Sequence, residues 1–177
     1  MEPTLNGEVT MRWSDIGDEV CSVSRSLSVV GDRWSLLIIR SAFLGARRFS
    51  DFQSQIGLTK HRLSDRLNKL VENGVFSKVP YQQAPLRYEY RLTKKGVSTY
   101  PIILALVKWG DDWLKPEDEA VPMEYIHNTC GNKMTPTLVC PCCSEELKPQ
   151  DITPVPSEEA RKVFEELLEK SKTAQSA

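Results

Sequence analysis

The side chains with the clearest capacity for chemistry are two pairs of metal ligands in the last third of the chain. His127 and Cys130 form the first pair, Cys140 and Cys143 form the second, and each pair has two intervening residues. Imidazole and thiolate groups at this spacing are typical of tetrahedral structural zinc sites. Gly131 follows the first pair and would permit a tight turn there. We therefore expect a structural zinc ion as the cofactor of a small Cys-rich segment.

Two features of this segment leave other interpretations open. Only nine residues separate the pairs, and Ser144 stands where a second glycine would be expected. Cys142 is a surplus thiol, so the identity of the fourth ligand is ambiguous. The alternatives to zinc are a reduced, metal-free tail and a disulfide that switches with redox state.

An enzymatic role for the same cysteines is a weaker interpretation. A thiol–disulfide pair or a catalytic zinc with an open position could arise between Cys140 and Cys143. However, the chain has only two histidines, His61 and His127, and its acidic residues form no motif around either. We therefore expect no catalytic activity.

A second group of functional side chains lies on one face of a basic amphipathic segment. Leu63, Leu67, Leu70 and Val71 form a single apolar stripe, as in a helix packed on a core. The other face carries groups that suit base edges near the helix start and phosphates elsewhere. The residues expected to contact double-stranded DNA are Thr59, Lys60, His61, Arg62, Ser64, Arg66 and Lys69, with Arg87 on the hairpin that follows.

The charge distribution supports this group as a whole. Each cation alone is more simply explained as solvated or ion-paired, and Arg66 could pair with Asp65 or Glu72. Yet residues 21–115 hold sixteen Lys/Arg and seven Asp/Glu, whereas the rest of the chain holds seven and seventeen. A basic module between acidic flanks indicates that one part of the protein meets a polyanion. A neutral or acidic face would instead have favoured a protein-interaction module.

The elements that must position these groups follow from apolar periodicity and turn residues. A helix over residues 23–30 precedes a helix that is apolar nearly all round, ends near Gly45 and should be central and buried. Ser50 is the expected N-cap of a short helix over residues 51–56. Gly57 then gives the turn into the basic helix.

A hairpin and two further helices complete the predicted elements. Strands over residues 75–81 and 86–92 should form the hairpin. Thr93 is expected to cap one long helix with Pro101 inside it as a kink. A last helix should run over residues 157–168, and the chain shows no internal repeat. The fold class is therefore mainly α with a small β-hairpin, an α+β arrangement.

Composition limits the cellular context. The chain has 177 residues, of which 40% are apolar and 27% charged, enough for one domain and a small appendage. No apolar run approaches the ~20 residues of a membrane span, and the acidic N-terminus lacks the apolar block of a secretory signal. Five cysteines, mostly clustered, fit a reduced compartment better than a disulfide framework. We expect a cytoplasmic protein with no membrane partner.

Several separated motifs resemble the HxlR-type winged helix-turn-helix regulators, which are related to the MarR type. The resemblance covers about residues 21–114, with the matching motifs at 21–27, 30–34, 48–52, 63–67 and 88–96. It implies a homodimeric bacterial transcription factor that represses or activates from palindromic promoter sites and joins the nucleoid when bound. A small-molecule effector is compatible with this class, but no residue identifies one.

The resemblance also implies where the dimer forms. The terminal helices of the domain make the interface in this family, which assigns that role to Val23, Leu27, Leu106, Trp109 and Trp113. Plain core packing is the simpler explanation for the two tryptophans, and both roles can hold together. The expected domains are an N-terminal arm (1–20), a DNA-binding and dimerisation domain (21–115), an acidic linker with the Cys-rich segment (116–156), and a C-terminal helix with a disordered tail from Lys172 (157–177).

Cys21 is a candidate redox sensor. It stands at the start of the first helix, where the helix dipole lowers the pKa of a thiol. Some HxlR-type regulators sense electrophiles or oxidants with such a cysteine. Because Asp18 and Glu19 oppose thiolate formation, we favour the alternative, a small buried residue near the dimer seam.

Overall fold

The computed structural model describes residues 13–175, with the side chains of residues 15–169. It confirms the predicted class: seven α-helices and two small antiparallel hairpins lie in the described part of the chain. The chain divides into two compact units. One joins the residues up to Leu36 with those from Thr153 onward, and the other is Leu37–Ile152. None of the helices in residues 13–175 is long and apolar enough to cross a membrane.

The first unit contains the end of the predicted arm and the first helix. A 3-10 helix, Trp13–Asp18, packs on α1 (Ser22–Val30). Gly17 permits this approach, since a Cβ there would lie 3.1 Å from the Ser28 hydroxyl oxygen. α1 ends at Gly31 as predicted. Residues 1–12 of the arm lie outside the described residues.

Helix α2 (Ser35–Phe43) links the two units and is more one-sided than predicted. The Asp32 carboxylate accepts the N–H groups of Trp34 and Ser35 over 3.0 and 3.2 Å and so caps its start. Ile38 and Ile39 are fully buried, but Leu37 is 40% exposed. The expected all-round burial was therefore wrong, because only one face of α2 meets the core.

The cap of α3 (Phe49–Ile56) also differs from the prediction. The helix begins before Ser50, and Arg48 occupies the N-cap position. The Asp51 carboxylate accepts the backbone N–H groups of Arg48 and Arg47 over 2.8 and 3.1 Å. The acid in the first turn, and not the serine hydroxyl, therefore satisfies the free donors of this helix start.

Changing Asp51 to asparagine is expected to lower the free energy of unfolding by about 0.5–2 kcal/mol at neutral pH. The N–H groups of Arg48 and Arg47 hold the pKa of this carboxyl below the ordinary value of 3.8. Its stabilisation is therefore fully present above pH 3.8 and is lost as the pH falls below it. Denaturant unfolding across pH should show the difference shrinking in acid. Asp118→Asn, an exposed carboxylate of the linker, is the control and should change little; a deficit at Asp51 independent of pH would contradict the prediction.

The predicted helix-turn-helix and hairpin follow α3. Gly57 makes the turn with φ of 74°, and α4 (Lys60–Glu72) buries Leu63, Leu67 and Leu70 completely. Strands β1 (Phe76–Gln83) and β2 (Leu86–Leu92) pair antiparallel. Phe52 of α3 contacts the aromatic rings of both strands edge-on. The core thus fixes the hairpin against the two helices.

The long helix predicted after Thr93 is two helices. Thr93 caps the single turn α5 (Lys94–Val97), since its hydroxyl accepts the Gly96 N–H over 3.1 Å. A second helix, α6 (Tyr100–Trp113), then begins with Pro101 in its first turn. The predicted kink at Pro101 was wrong. Backbone N–H groups in the first turn of a helix have no intrahelical acceptor, so proline, which lacks an N–H, is tolerated there.

The Cys-rich segment belongs to the same compact unit as the helix-turn-helix. It contains the short hairpin β3 (Tyr125–Ile126) and β4 (Lys133–Met134). A cavity of about 600 Å³ lies between this segment and α6, with Trp109, Trp113 and Leu138 in its wall. In the other unit, helix α7 (Glu158–Gln175) begins after Ser157 as predicted and continues past Lys172, where a disordered tail was expected.

Candidate nucleic-acid interface

The first turn of α4 presents the most accessible cations of the predicted DNA-binding face. Lys60, His61 and Arg62 are all exposed, while Leu63 behind them is buried. Thr59 occupies the N-cap position, and its side chain makes no capping bond to the helix. The N–H groups at this helix start therefore remain available to an anion such as a phosphate.

His61 has a partner on the same face. Its Nδ1 lies 2.9 Å from Asp65 Oδ2, one turn further along α4. Both side chains are largely exposed. A base or phosphate that engages His61 must therefore compete with this carboxylate, and the face is less uniformly basic than the sequence count suggests.

The remaining predicted contacts of α4 are less accessible. Ser64, Arg66 and Lys69 are half-buried, and Arg66 interacts with a neighbouring group of the protein. The accessible part of the predicted set is thus concentrated at the N-terminal turn.

Lys78 fixes the hairpin to α4 and was missed from the sequence. Its Nζ donates to Asn68 Oδ1 over 2.8 Å, and it lies 5.7 and 5.9 Å from the ring centres of Tyr90 and Tyr88. Asn68 is half-buried on α4, and Lys78 lies on an exposed position of β1. Helical spacing and strand alternation could place each of these two residues but not their pairing, because the orientation of the hairpin depends on the core.

The arginines on and beside the hairpin fall into two groups. Arg48 and Arg91 both contact Glu89, at 3.6 and 3.0 Å, and Arg48 also stacks 4.4 Å from the centre of the Tyr81 ring. Arg87 lies on an exposed position of β2 near the turn, opposite Gln82. The predicted hairpin contact, Arg87, is therefore exposed near the tip of the hairpin.

The predicted dimer residues of α6 form an exposed apolar stripe. Leu106, Trp109 and Trp113 are 46, 55 and 75% exposed, and Ile102, which the sequence analysis did not select, joins them at 43%. Ile103 on another face is 5% exposed and packs in the core. Core packing is therefore the wrong explanation for the two tryptophans.

The predicted dimer residues of α1 are also exposed. Val23 is 66% exposed and Leu27 is 37% exposed, one turn apart on the same face. Exposed apolar stripes on helices of a soluble domain commonly mark sites of association.

Cys21 is exposed at the N-cap of α1, so it is not buried within its own chain. The N–H and hydroxyl groups of Ser24, with the N–H of Val23, hold the pKa of its thiol below the ordinary value. Glu19 opposes this effect and is the weaker influence. The helix start therefore outweighs the opposing charge of Glu19.

The four predicted zinc ligands are gathered only in pairs. His127 Nδ1 lies 3.3 Å from Cys130 Sγ. The backbone N–H groups of Cys143 and Cys142 donate to the Cys140 sulfur and lower the pKa of that thiol. Among the described residues, however, no three His, Cys, Asp or Glu side chains lie close enough together to hold a metal ion. The single four-ligand site expected from the spacing is not assembled.

The arrangement of α3, the turn, α4 and the β1–β2 hairpin defines a winged helix-turn-helix DNA-binding domain. The chain belongs to the HxlR-like helix-turn-helix family, whose model matches residues 29–118. This is the family that the separated motifs indicated.

Relatives and solved structures agree with this membership. An uncharacterized HTH-type transcriptional regulator of Mycobacterium tuberculosis, Rv3095, is 45% identical over 135 residues, 76% of this chain and 85% of the relative. The uncharacterized HTH-type regulator YvaP of Bacillus subtilis is 32% identical and covers 55% of this chain and 93% of its own. The crystal structure of PA1607, a provisionally assigned transcription factor, has a TM-score of 0.72 at 35% identity and covers 80% of this chain and 98% of its own.

These matches differ in how far they extend. The alignment with the Mycobacterium relative covers 135 residues, but only 118 residues of this chain lie at or before the end of the family region. Part of the segment that follows residue 118 is therefore shared with that relative as well. The protein is a transcriptional regulator with a helix-turn-helix DNA-binding domain, and its relatives are named as regulators and not as enzymes.

Proposed function

We propose that this regulator acts as a homodimer that binds a palindromic promoter site in the cytoplasm of a bacterium. The observation that carries the proposal is the stripe of Ile102, Leu106, Trp109 and Trp113, which is exposed on α6 while Ile103 is buried. A second copy of the chain would cover this stripe and place two α4 helices on successive half-sites of DNA. The dimer would also cover Val23 and Leu27 of α1.

The N-terminal turn of α4 would supply direct contacts to bases. Arg62 is exposed there and carries a planar fork of donors that matches the major-groove edge of guanine. Lys60, two residues earlier, is a point charge suited to phosphate. Lys78 supports the arrangement by linking the hairpin to Asn68 of the same helix, which holds Arg87 beside the duplex.

Arg62→Ala is the test of sequence recognition, with Lys60→Ala as its matched control. We expect Arg62→Ala to weaken binding to the selected operator by about 1–3 kcal/mol while leaving binding to random DNA nearly unchanged. Lys60→Ala should weaken both, and should reduce the slope of log affinity against log salt by about 0.9 per subunit, or about 1.8 for the dimer. The operator is first selected in vitro from random sequences, and affinities are then measured by fluorescence anisotropy.

Equal losses on the operator and on random DNA would show that Arg62 contacts only phosphate. Failure of the chain to select any sequence would contradict the proposal as a whole. A protein-interaction module, the alternative role of a winged helix, would give that result.

The cavity between α6 and the Cys-rich segment is where a small-molecule effector would fit. Its volume of about 600 Å³ lies within the usual range for ligand pockets. Most of its wall is apolar, and its polar residues include Lys108 and Asp112, 2.8 Å apart. A ligand bound there would contact the same helix that carries the dimer stripe.

No catalytic role is proposed for the cysteines. An insulin-reduction assay should show no turnover above the buffer rate. Turnover that disappears in Cys140→Ser would establish a thiol–disulfide activity instead.

A further inference from the structure

The first loop of the Cys-rich segment closes the hairpin between β3 and β4. The His127 N–H donates to the Asn132 carbonyl over 2.9 Å, and the Gly131 N–H donates to the His127 carbonyl over 2.8 Å. Gly131 adopts the left-handed conformation, with φ of 72°. This backbone places His127 at the loop entry and Cys130 directly before the left-handed residue, where the two ligand groups meet.

The second loop, thirteen residues later, has two corresponding backbone hydrogen bonds. The Cys140 N–H donates to the Glu145 carbonyl over 2.8 Å, and the Ser144 N–H donates to the Cys140 carbonyl over 2.8 Å. The residues on either side form an antiparallel bridge in the same register as the first hairpin. Ser144 has φ of 62° and is the one residue other than glycine with positive φ in the described chain. Such a conformation is costly with a Cβ and persists where the surroundings require it.

The two loops are therefore a structural repeat, although the sequence shows no internal repeat at the level of residue identity. His127 corresponds to Cys140, and Cys130 corresponds to Cys143. The surplus Cys142 corresponds to Thr129, a position without a ligand group. The repeat thus removes the ambiguity about the fourth ligand.

We propose that the two loops are halves of one structural zinc site, with His127, Cys130, Cys140 and Cys143 as the ligands. A structural zinc ion requires four such groups, and each loop supplies two.

Zinc would draw the two loops together, because the pairs stand apart in this structure. His127, Cys130 and Cys143 are exposed and Cys140 is half-buried, so the loops can approach without opening the core. Zinc binding is strong enough to fold entire small domains, and here it has only to join two preformed loops. The thiol protons leave to solvent when the metal binds.

Metal analysis of the full chain, purified with reductant and without chelator, tests the site. We expect about one zinc ion per chain. Cys143→Ser should lose most of the metal, whereas Cys142→Ser, the adjacent control with the same chemistry, should retain it. Titration of the metal-free wild type with Co²⁺ should give the visible absorption of tetrahedral thiolate coordination, and this result does not depend on how the variants fold.

Three outcomes would overturn the proposal. The first is a zinc content below about half an equivalent together with no tetrahedral Co²⁺ spectrum. The second is equal metal loss in Cys142→Ser and Cys143→Ser. The third is an intact mass of the freshly purified chain that shows a disulfide among these cysteines. Sequence-selective DNA binding is measured separately, so failure of the zinc site and failure of the dimeric DNA-binding function are distinguishable.

Discussion

Leu106→Glu is expected to convert the proposed dimer to a monomer and to weaken binding to the full palindromic site by at least about 100-fold. Leu106 is 46% exposed at the centre of the α6 stripe, and it does not line the cavity beneath the Cys-rich segment. A carboxylate buried in an apolar interface without a partner costs more than most interfaces can offset. The variant should therefore remain folded as a chain but fail to pair.

The loss of DNA affinity follows from geometry. Once one α4 helix of the dimer is bound, the second α4 helix binds its half-site intramolecularly, at an effective concentration on the order of millimolar. A monomer has only one half-site contact and loses this advantage. Leu106→Glu should therefore bind a single half-site about as well as the wild-type chain does.

Sedimentation velocity gives the oligomeric state, and anisotropy on full and half sites gives the affinities. Val155→Glu is the control, since Val155 is 82% exposed but lies on neither α1 nor α6. A Leu106→Glu chain that still sedimented as a dimer would show that another surface makes the interface. Circular dichroism separates loss of pairing from loss of fold.

Gly96→Ala is expected to lower the free energy of unfolding by about 1–3 kcal/mol. A Cβ at position 96 would lie 2.2 Å from the Val75 carbonyl oxygen and 2.8 Å from Leu92 Cδ2. The backbone of α5 must therefore move away from the start of β1 and the end of β2. This would disturb the Thr93 hydroxyl, which donates to the Gly74 carbonyl over 2.6 Å at the same junction.

The same substitution at Gly110 should have the opposite sign. A Cβ there meets no atom within 4 Å, and Gly110 lies inside α6. Alanine in a helix interior is favoured over glycine by about 0.5–1 kcal/mol, so Gly110→Ala should stabilise the chain. Both variants are unfolded by denaturant at one chain concentration, because dimer stability depends on concentration. If Gly96→Ala changed the free energy of unfolding by the same amount and in the same direction as Gly110→Ala, the crowding at Gly96 would be relieved without cost.

The helix-turn-helix was predictable because its signals are local. Leu63, Leu67 and Leu70 mark the buried face of α4 by spacing alone, and Gly57 supplies a conformation that other residues rarely adopt. The predicted cap at Ser50 failed because serine and aspartate are adjacent and both favour helix starts. Which of them caps depends on where the chain enters the helix, and the bridge between Arg48 and Glu89 of the hairpin influences that entry.

The sequence by itself determined the class of protein: a basic helix after a turn, a hairpin, and separated family motifs in a chain with acidic ends. These features depend on residue type and short spacing. Only the tertiary structure decided which candidate groups meet. It paired Lys78 with Asn68, left Arg66 half-buried while Arg62 stayed exposed, and gave the Cys140 loop backbone hydrogen bonds that correspond to those of the His127 loop. The reason is physical: the direction of a side chain and the path of a backbone are set by packing between distant segments, which local spacing does not specify.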